Sequence, residues 1–347
     1  MEYYFQLPEI ADLVSGKLAA GLESRLFQTF LSPGLDPFET MDRKEDLLAA
    51  ARDGRLGAVE WLFRAMKQAP EPGDAPIFAR VCIEAASGGS IQVLRFLREN
   101  GCPWDERTCY SAAKNGHLEC LKWARENGCP WHRLTCAWAA HNGHLECLRW
   151  ARENGCPWDK TTCAWAAQCG QIGCLMWARE NGCPWDEGIC TYAASYGHLH
   201  CLKWVRENGC PWDERTCAWA ALEGNLHCLQ WAHQNGCPWD ESTCYLAAQY
   251  GQIECLTWAR QNGCRWNART CQSAASKGHL ECLQWARRNG CEWNKMTCAY
   301  AARGGHLECL QWVRENGCPW DRDTCFFAAE KGHTDCLAWA RLNGCPE

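Results

Sequence analysis

The stretch Gly101-Cys102-Pro103-Trp104-Asp105 opens a 27-residue pattern. It begins again at Gly128 and returns at residues 155, 182, 209, 236, 263, 290 and 317, with no insertion or deletion. A fixed period of this size calls for a solenoid, because one short repeat can bury its apolar face only against the next. Counting positions 1 to 27 from the glycine, all nine repeats keep Gly at 1 and 16, Cys at 2, 9 and 20, and Trp at 4 and 23. They also keep Ala-Ala at 12 and 13, Leu at 21 and Asn at 27. The comparison is internal to one chain, so it reports what a repeat needs in order to stack on its neighbour.

Each repeat reads as two helices. Asp at position 5 is a good N-cap; Asn267 and Asn294 preserve that capacity and His132 departs from it. Helix A is expected over about positions 6 to 15, closed by the glycine at 16 in a left-handed conformation. Helix B is expected over about positions 18 to 27, closed by the asparagine and the next repeat's glycine. Helices this short are marginal alone, so stacking must hold them.

Three segments follow. Residues 1–40 lie outside the period and read as short amphipathic helices capping the first repeat. The stretch from Leu7-Pro8 with Ile10, Val14 and Leu18 faintly resembles an F-box, the segment that docks substrate adaptors onto a ubiquitin ligase. Residues 41–80 hold a degenerate repeat, Leu47-Leu48-Ala49-Ala50-Ala51-Arg52-Asp53-Gly54 with Val59-Glu60-Trp61-Leu62, followed by a Pro/Gly loop over 69–76. Residues 81–347 form the regular array, with Cys82, Ala85-Ala86 and Gly89 already in register.

The run Thr108-Cys109-Tyr110-Ser111-Ala112-Ala113-Lys114-Asn115-Gly116-His117-Leu118-Glu119-Cys120-Leu121 resembles the ankyrin repeat's Thr-Pro-Leu-His-x-Ala-Ala-x-x-Gly-His-x-x-Val-Val, one residue short before the alanines. Glu126-Asn127-Gly128-Cys129 resembles its Glu-x-Gly-Ala. The resemblance covers about residues 42–347 and recurs in every repeat. Ankyrin units have about 33 residues, so roughly six are missing here. They fall where the family builds its β-hairpin fingers, replaced by Cys-Pro-Trp-Asp. The chain is similar in this to the short ankyrin-type arrays of protists and large DNA viruses. The resemblance implies an all-α array of αα-hairpins without fingers, with a concave helix-A face that takes a protein partner.

Thirty cysteines would ordinarily suggest a secreted disulfide framework. Twenty-eight of them fall at positions 2, 9 and 20, leaving only Cys82, in register in the preceding divergent repeat, and Cys169. No Cys-x-x-Cys occurs and no interval matches a zinc knuckle, so the thiols are expected reduced and packed as small hydrophobes, with no metal and no cofactor. Net charge is −6 with both signs mixed along the chain, which argues against a nucleic-acid or membrane-surface protein. There is no membrane-length apolar run and no secretory pattern at Met1-Glu2-Tyr3-Tyr4. A cytoplasmic or nuclear location is expected.

Histidine recurs at position 17 as His117, His144, His198, His279, His306 and His333, but Gln171, Asn225 and Gln252 replace it elsewhere. Hydrogen bonding, not titration, is the shared property, so a loop-stapling role is expected and catalysis is not. Tryptophans at 4 and 23 are expected to form structural ladders. Arg at 25, replaced once by His233, is expected to lay its stem beside them.

Position 11 is different. At 100° per residue it lies about 200° from position 9, away from the core positions 9, 12, 13 and 16. A solvent-facing position should be polar. It reads Ser111, Trp138, Trp165, Tyr192, Trp219, Leu246, Ser273, Tyr300 and Phe327. The partner-binding residues are therefore expected to be Trp138, Trp165, Tyr192, Trp219, Leu246, Tyr300 and Phe327 in a non-enzymatic protein-interaction scaffold. The bland alternative is that these rings pack on long neighbours at position 14 or on adjacent helices and merely broaden the core. Two other readings are a ubiquitin-ligase substrate adaptor through residues 1–40 and a single-stranded-RNA-binding solenoid. The RNA reading needs a basic groove from Arg107, Lys114, Arg215, Arg269 and Arg303, which is diluted by Glu223, Asp323 and Glu330. Either end-to-end self-association or fraying of the last helix pair is also expected, because the last repeat keeps the buried pattern Cys325, Cys336 and Trp339.

Overall fold

A computed structural model describes residues 42–70 and 74–346. The F-box-like stretch and the proposed cap over 1–40 lie outside the described residues. Among the described residues every regular element is an α-helix. The chain divides into two compact bodies, one running to Trp165 and the other beginning at Ala166. Each body is an all-α solenoid of helical hairpins.

In the first regular repeat helix A runs Glu106–Lys114 and helix B Leu118–Glu126. The Asp105 carboxylate accepts the Arg107 amide at 2.9 Å and starts helix A. Asp213, Asp240, Asn267, Asn294 and Asp321 cap their helices in the same way. Gly116 sits at φ +79°, and the amide that follows, on His117, reaches back to the Ala112 carbonyl at 2.9 Å. This is the left-handed closure expected from the sequence. At the end of helix B the Asn127 side chain donates to the Trp123 carbonyl at 2.8 Å, which explains the asparagine at position 27. Without an aspartate at position 5, the repeat with His132 starts helix A late, at Thr135. There His132 Nδ1 accepts only the Leu134 amide, at 3.1 Å.

The described part of the N-terminal body opens with the helices Arg43–Arg52 and Leu56–Gln68. The loop expected over 69–76 is shorter than the sequence suggested, because the next helix already starts at Asp74 and runs to Ser87. Pro76 falls in its first turn, where a missing amide hydrogen is tolerated.

Cys109, Ala112, Ala113, Leu121 and Ala124 are fully buried, as are their equivalents in nearly every repeat. The alanine pairs let helices A approach closely. Asp74–Ser87 packs on Glu106–Lys114, and that helix on Thr135–His141. In the C-terminal body the same layer runs from Gly188–Ser195 through Glu214–Leu222, Glu241–Gln249, Ala268–Lys277 and Lys295–Gly304 to Arg322–Glu330. Helices B meet their neighbours more sparingly.

All thirty cysteines are free thiols, and only Cys169 is not buried. The position-2 thiols have a partner that the sequence did not reveal. Cys129 donates to the Asp105 carbonyl at 3.2 Å, and Cys210 and Cys237 donate to those of Asp186 and Asp213 at 3.3 Å. Burial pushes the position-20 thiols up, Cys147 to about 11 and Cys201 to about 12.

The tryptophans do not form two separate ladders. Position 4 and position 23 of one repeat meet edge to face, Trp104 with Trp123 at 5.8 Å and Trp212 with Trp231 at 5.9 Å between centroids. Both rings are half-buried. The arginine at 25 lies over the next repeat's position-4 ring, Arg98 over Trp104 at 4.6 Å and Arg206 over Trp212 at 4.4 Å. Its guanidinium also donates to the position-2 carbonyl, Arg125 to Cys129 at 3.0 Å. His233 replaces the arginine by stacking on Trp239 at 3.6 Å.

Position 17 staples successive repeats. His117 Nε2 lies 2.9 Å from the Ser87 carbonyl oxygen, the Asn225 side-chain amide donates to Ser195 at 2.5 Å and that of Gln252 to Leu222 at 3.3 Å. The shared hydrogen-bonding capacity read from the sequence is what the fold uses.

Candidate interaction surface

Positions 11, 14 and 15 remain for the outer side of helix A once positions 9, 12 and 13 are committed to the core, while position 10 is buried as Ala137, Ala218 and Ala299 and exposed as Phe326. In the N-terminal body Trp138 and Trp165 meet edge to face with centroids 4.9 Å apart. The ammonium of Lys114 lies 4.4 Å over the Trp138 ring, and Tyr110 meets that ring at 5.9 Å. His141 borders both indoles, 5.1 Å from Trp138 and 5.8 Å from Trp165. Burial, followed by the Lys114 charge, holds the His141 imidazole below its ordinary pKa. The two tryptophans are therefore half-buried against position-14 neighbours rather than free in solvent. Ser111, expected on the open side, is buried. In the sequence it lies between Tyr110 and Lys114, two of the residues that meet the Trp138 ring.

The C-terminal body is more open. Tyr192 is 42% and Trp219 44% exposed. Leu246, Tyr300 and Phe327 are half-buried. Arg303 reaches the Phe327 ring at 5.7 Å, and Phe326 lies 5.6 Å from Phe327.

Position 11 alone missed a second row. Tyr196 and Tyr250 at position 15 are 54% and 49% exposed. Positions 11 and 15 are one helical turn apart, so Tyr192 neighbours Tyr196, Trp219 neighbours Glu223, and Leu246 neighbours Tyr250. The signal was present in the sequence. Position 15 is polar in most repeats (Asn115, Asn142, Lys277, Lys331), and two tyrosines there break the rule.

Several of the basic side chains weighed for an RNA groove are engaged within the chain. Arg107 donates to Asp105 at 2.9 Å, and Arg215 pairs with Asp213 at 2.7 Å and Glu187 at 3.3 Å. Arg269 lies over Tyr245 at 5.1 Å. Among the described residues no cluster of three or more His, Cys, Asp or Glu could hold a metal ion. No described helix is long and apolar enough to cross a membrane.

The family model described as ankyrin repeats (many copies) matches residues 82–133 and 271–314, one stretch in each body. The repeats between them keep the same residues at the same spacing. The two matched stretches are of the ankyrin-repeat type, and such repeats are in general protein–protein interaction modules. Among solved structures, the human ASB11 ankyrin repeat domain is similar at 17% identity and a TM-score of 0.39, over 45% of this chain and 84% of that one. No curated protein matches the chain.

Proposed function

We propose that the protein is a non-enzymatic interaction scaffold of the cytosol or nucleus. Its partner is another protein, taken on the outer side of helices A. The contact residues are Trp138 and Trp165 in the N-terminal body, and Tyr192, Trp219, Leu246, Tyr300 and Phe327 in the C-terminal body. The observation that carries this reading is the exposure of Tyr192 and Trp219, 42% and 44%, in helices whose cysteines and alanines are sealed in the core. Aromatic rings held open on rigid elements are the residue class that dominates binding energy. The location rests on thirty free thiols, which a reducing compartment preserves.

The test is affinity capture from native lysate with the wild-type chain and the variants Trp165→Ser and Trp219→Ser. A partner held by this face should lose roughly 2 kcal/mol of binding to either change. Unaltered capture by both variants, with the fold intact by circular dichroism, would sink the proposal.

A further inference from the structure

Two places on the helix-A side show what its aromatic rings hold. Position 14 of one repeat lays a cation over the position-11 ring of the next. Lys114 does so on Trp138 at 4.4 Å and Arg303 on Phe327 at 5.7 Å. At Trp219 the corresponding position-14 residue is Ser195; among the described residues no cation lies over this ring, which stays open.

The surroundings of Trp219 are those of a cation receptor. One turn along its helix stands Glu223, an exposed carboxylate with no ion pair among the described residues. Tyr196 and Tyr250 occupy the equivalent position on the preceding and following helices A, which pack side by side with that of Trp219. Tyr196, Glu223 and Tyr250 are each the C-cap residue of their helix. Three successive helix C-termini, with the negative ends of their dipoles, thus stand in a row along this face. Lys277, at the same position one repeat beyond Tyr250, bounds the patch.

We infer that Trp219 and Glu223, flanked by Tyr196 on the preceding helix A and Tyr250 on the following one, form a receptor for a cationic side chain, an arginine presented by the protein partner. Ring faces attract a guanidinium through their quadrupole, and a lone carboxylate beside them supplies a charge-assisted hydrogen bond. Arginine fits better than lysine because its planar fork can stack on a ring and pair with a carboxylate at once. The inference rests on the helix-A side being the partner surface and names what that surface reads there.

The probe is fluorescein-labelled hexaarginine, titrated by anisotropy into the full chain at physiological salt, with labelled hexaglutamate as the control. Glu223→Gln and Trp219→Ser should each weaken hexaarginine binding by about tenfold. Glu281→Gln, which removes an exposed carboxylate from a helix B, should leave it unchanged. Absence of hexaarginine binding, equal losses from Glu223→Gln and Glu281→Gln, or comparable binding of hexaglutamate would each overturn the inference. Captured partner separates the two proposals. Loss of partner with Trp219→Ser but not with Glu223→Gln defeats the cation receptor and leaves the interaction face standing. Retention with Trp165→Ser, Trp219→Ser and Glu223→Gln alike defeats both.

Discussion

Gly116→Ala should destabilise the N-terminal body more than Gly128→Ala does, and the excess should belong to one imidazole ring. Both glycines hold left-handed backbone, at φ +79° and +86°. An alanine in that conformation costs roughly 1–2 kcal/mol at either site. Their surroundings differ. A Cβ on Gly128 meets nothing within 4 Å, whereas one on Gly116 would lie 2.6 Å from His144 Nδ1 and 2.7 Å from its Cε1. The ring must therefore move, and it is the staple bonded to the Lys114 backbone. Losing that hydrogen bond adds about 0.5–1.5 kcal/mol. The expected cost is thus about 1.5–3.5 kcal/mol at Gly116 against about 1–2 kcal/mol at Gly128. The entropy lost by the unfolded chain on gaining a methyl is common to both and cancels. Urea denaturation followed by circular dichroism measures each single variant, then both again in a His144→Ala background. The difference should vanish in that background. Equal costs in the native background, or a difference that survives removal of the ring, would refute the reasoning.

Three further outcomes are expected. Arg206→Ala removes a guanidinium 4.4 Å over Trp212 and its 3.1 Å hydrogen bond to the Cys210 carbonyl. It should cost about 1–2 kcal/mol in thermal melts. Arg206→His should cost less, since His233 already shows an imidazole on Trp239, and an unchanged melt for the alanine variant would discount the contact. Burial holds the His144, His198 and His306 imidazoles below their ordinary pKa. The unfolded chain therefore takes up protons first, and stability is complete above about pH 6.5 and falls as pH drops through the lowered folded values. The urea midpoint should decline toward pH 5, and His144→Gln, which introduces the residue found at Gln171 and Gln252, should blunt that decline. Iodoacetamide with mass counting should modify Cys169 first in the native protein and the buried thiols only on unfolding. Rapid alkylation of many thiols would contradict their burial.

The period, the helix limits and the caps were readable from residues whose chemistry has one local use. Asp105 before a helix and Gly116 after it leave little choice, and a position that accepts His, Gln or Asn declares a hydrogen bond. What the sequence could not supply was the spacing between repeats. Position-11 rings of adjacent repeats can touch because helices A close up over their alanine pairs, as Trp138 and Trp165 do at 4.9 Å. Helices B lack such pairs and meet less closely, so a position-23 ring pairs instead with position 4 of its own repeat, Trp104 with Trp123 at 5.8 Å. The expectation of separate ladders failed for that reason. Position-23 rings such as Trp177 are half-buried rather than sealed. Tyr196 and Tyr250 escaped notice because position 15 was read only as the end of a helix.

The helix-B side and the helix-A side differ in whether they can tell a partner where to bind. On helices B the position-4 and position-23 rings, the arginine at 25 and the position-2 carbonyl recur in almost every repeat, and their contacts are with one another. A surface that repeats every 27 residues offers a ligand equivalent places and no register. On helices A the outward positions change from repeat to repeat. Lys114 and Trp138 are followed by Trp165, and, in the C-terminal body, Tyr192, Trp219 with Glu223, Tyr250 and Arg303 with Phe327 each differ from the next. A partner that must meet a ring at one repeat and a carboxylate at another has one register in each body. The invariant positions are spent on stacking, so whatever distinguishes one stretch of this array from the next must be carried by the variable outer row. This supports placing recognition there.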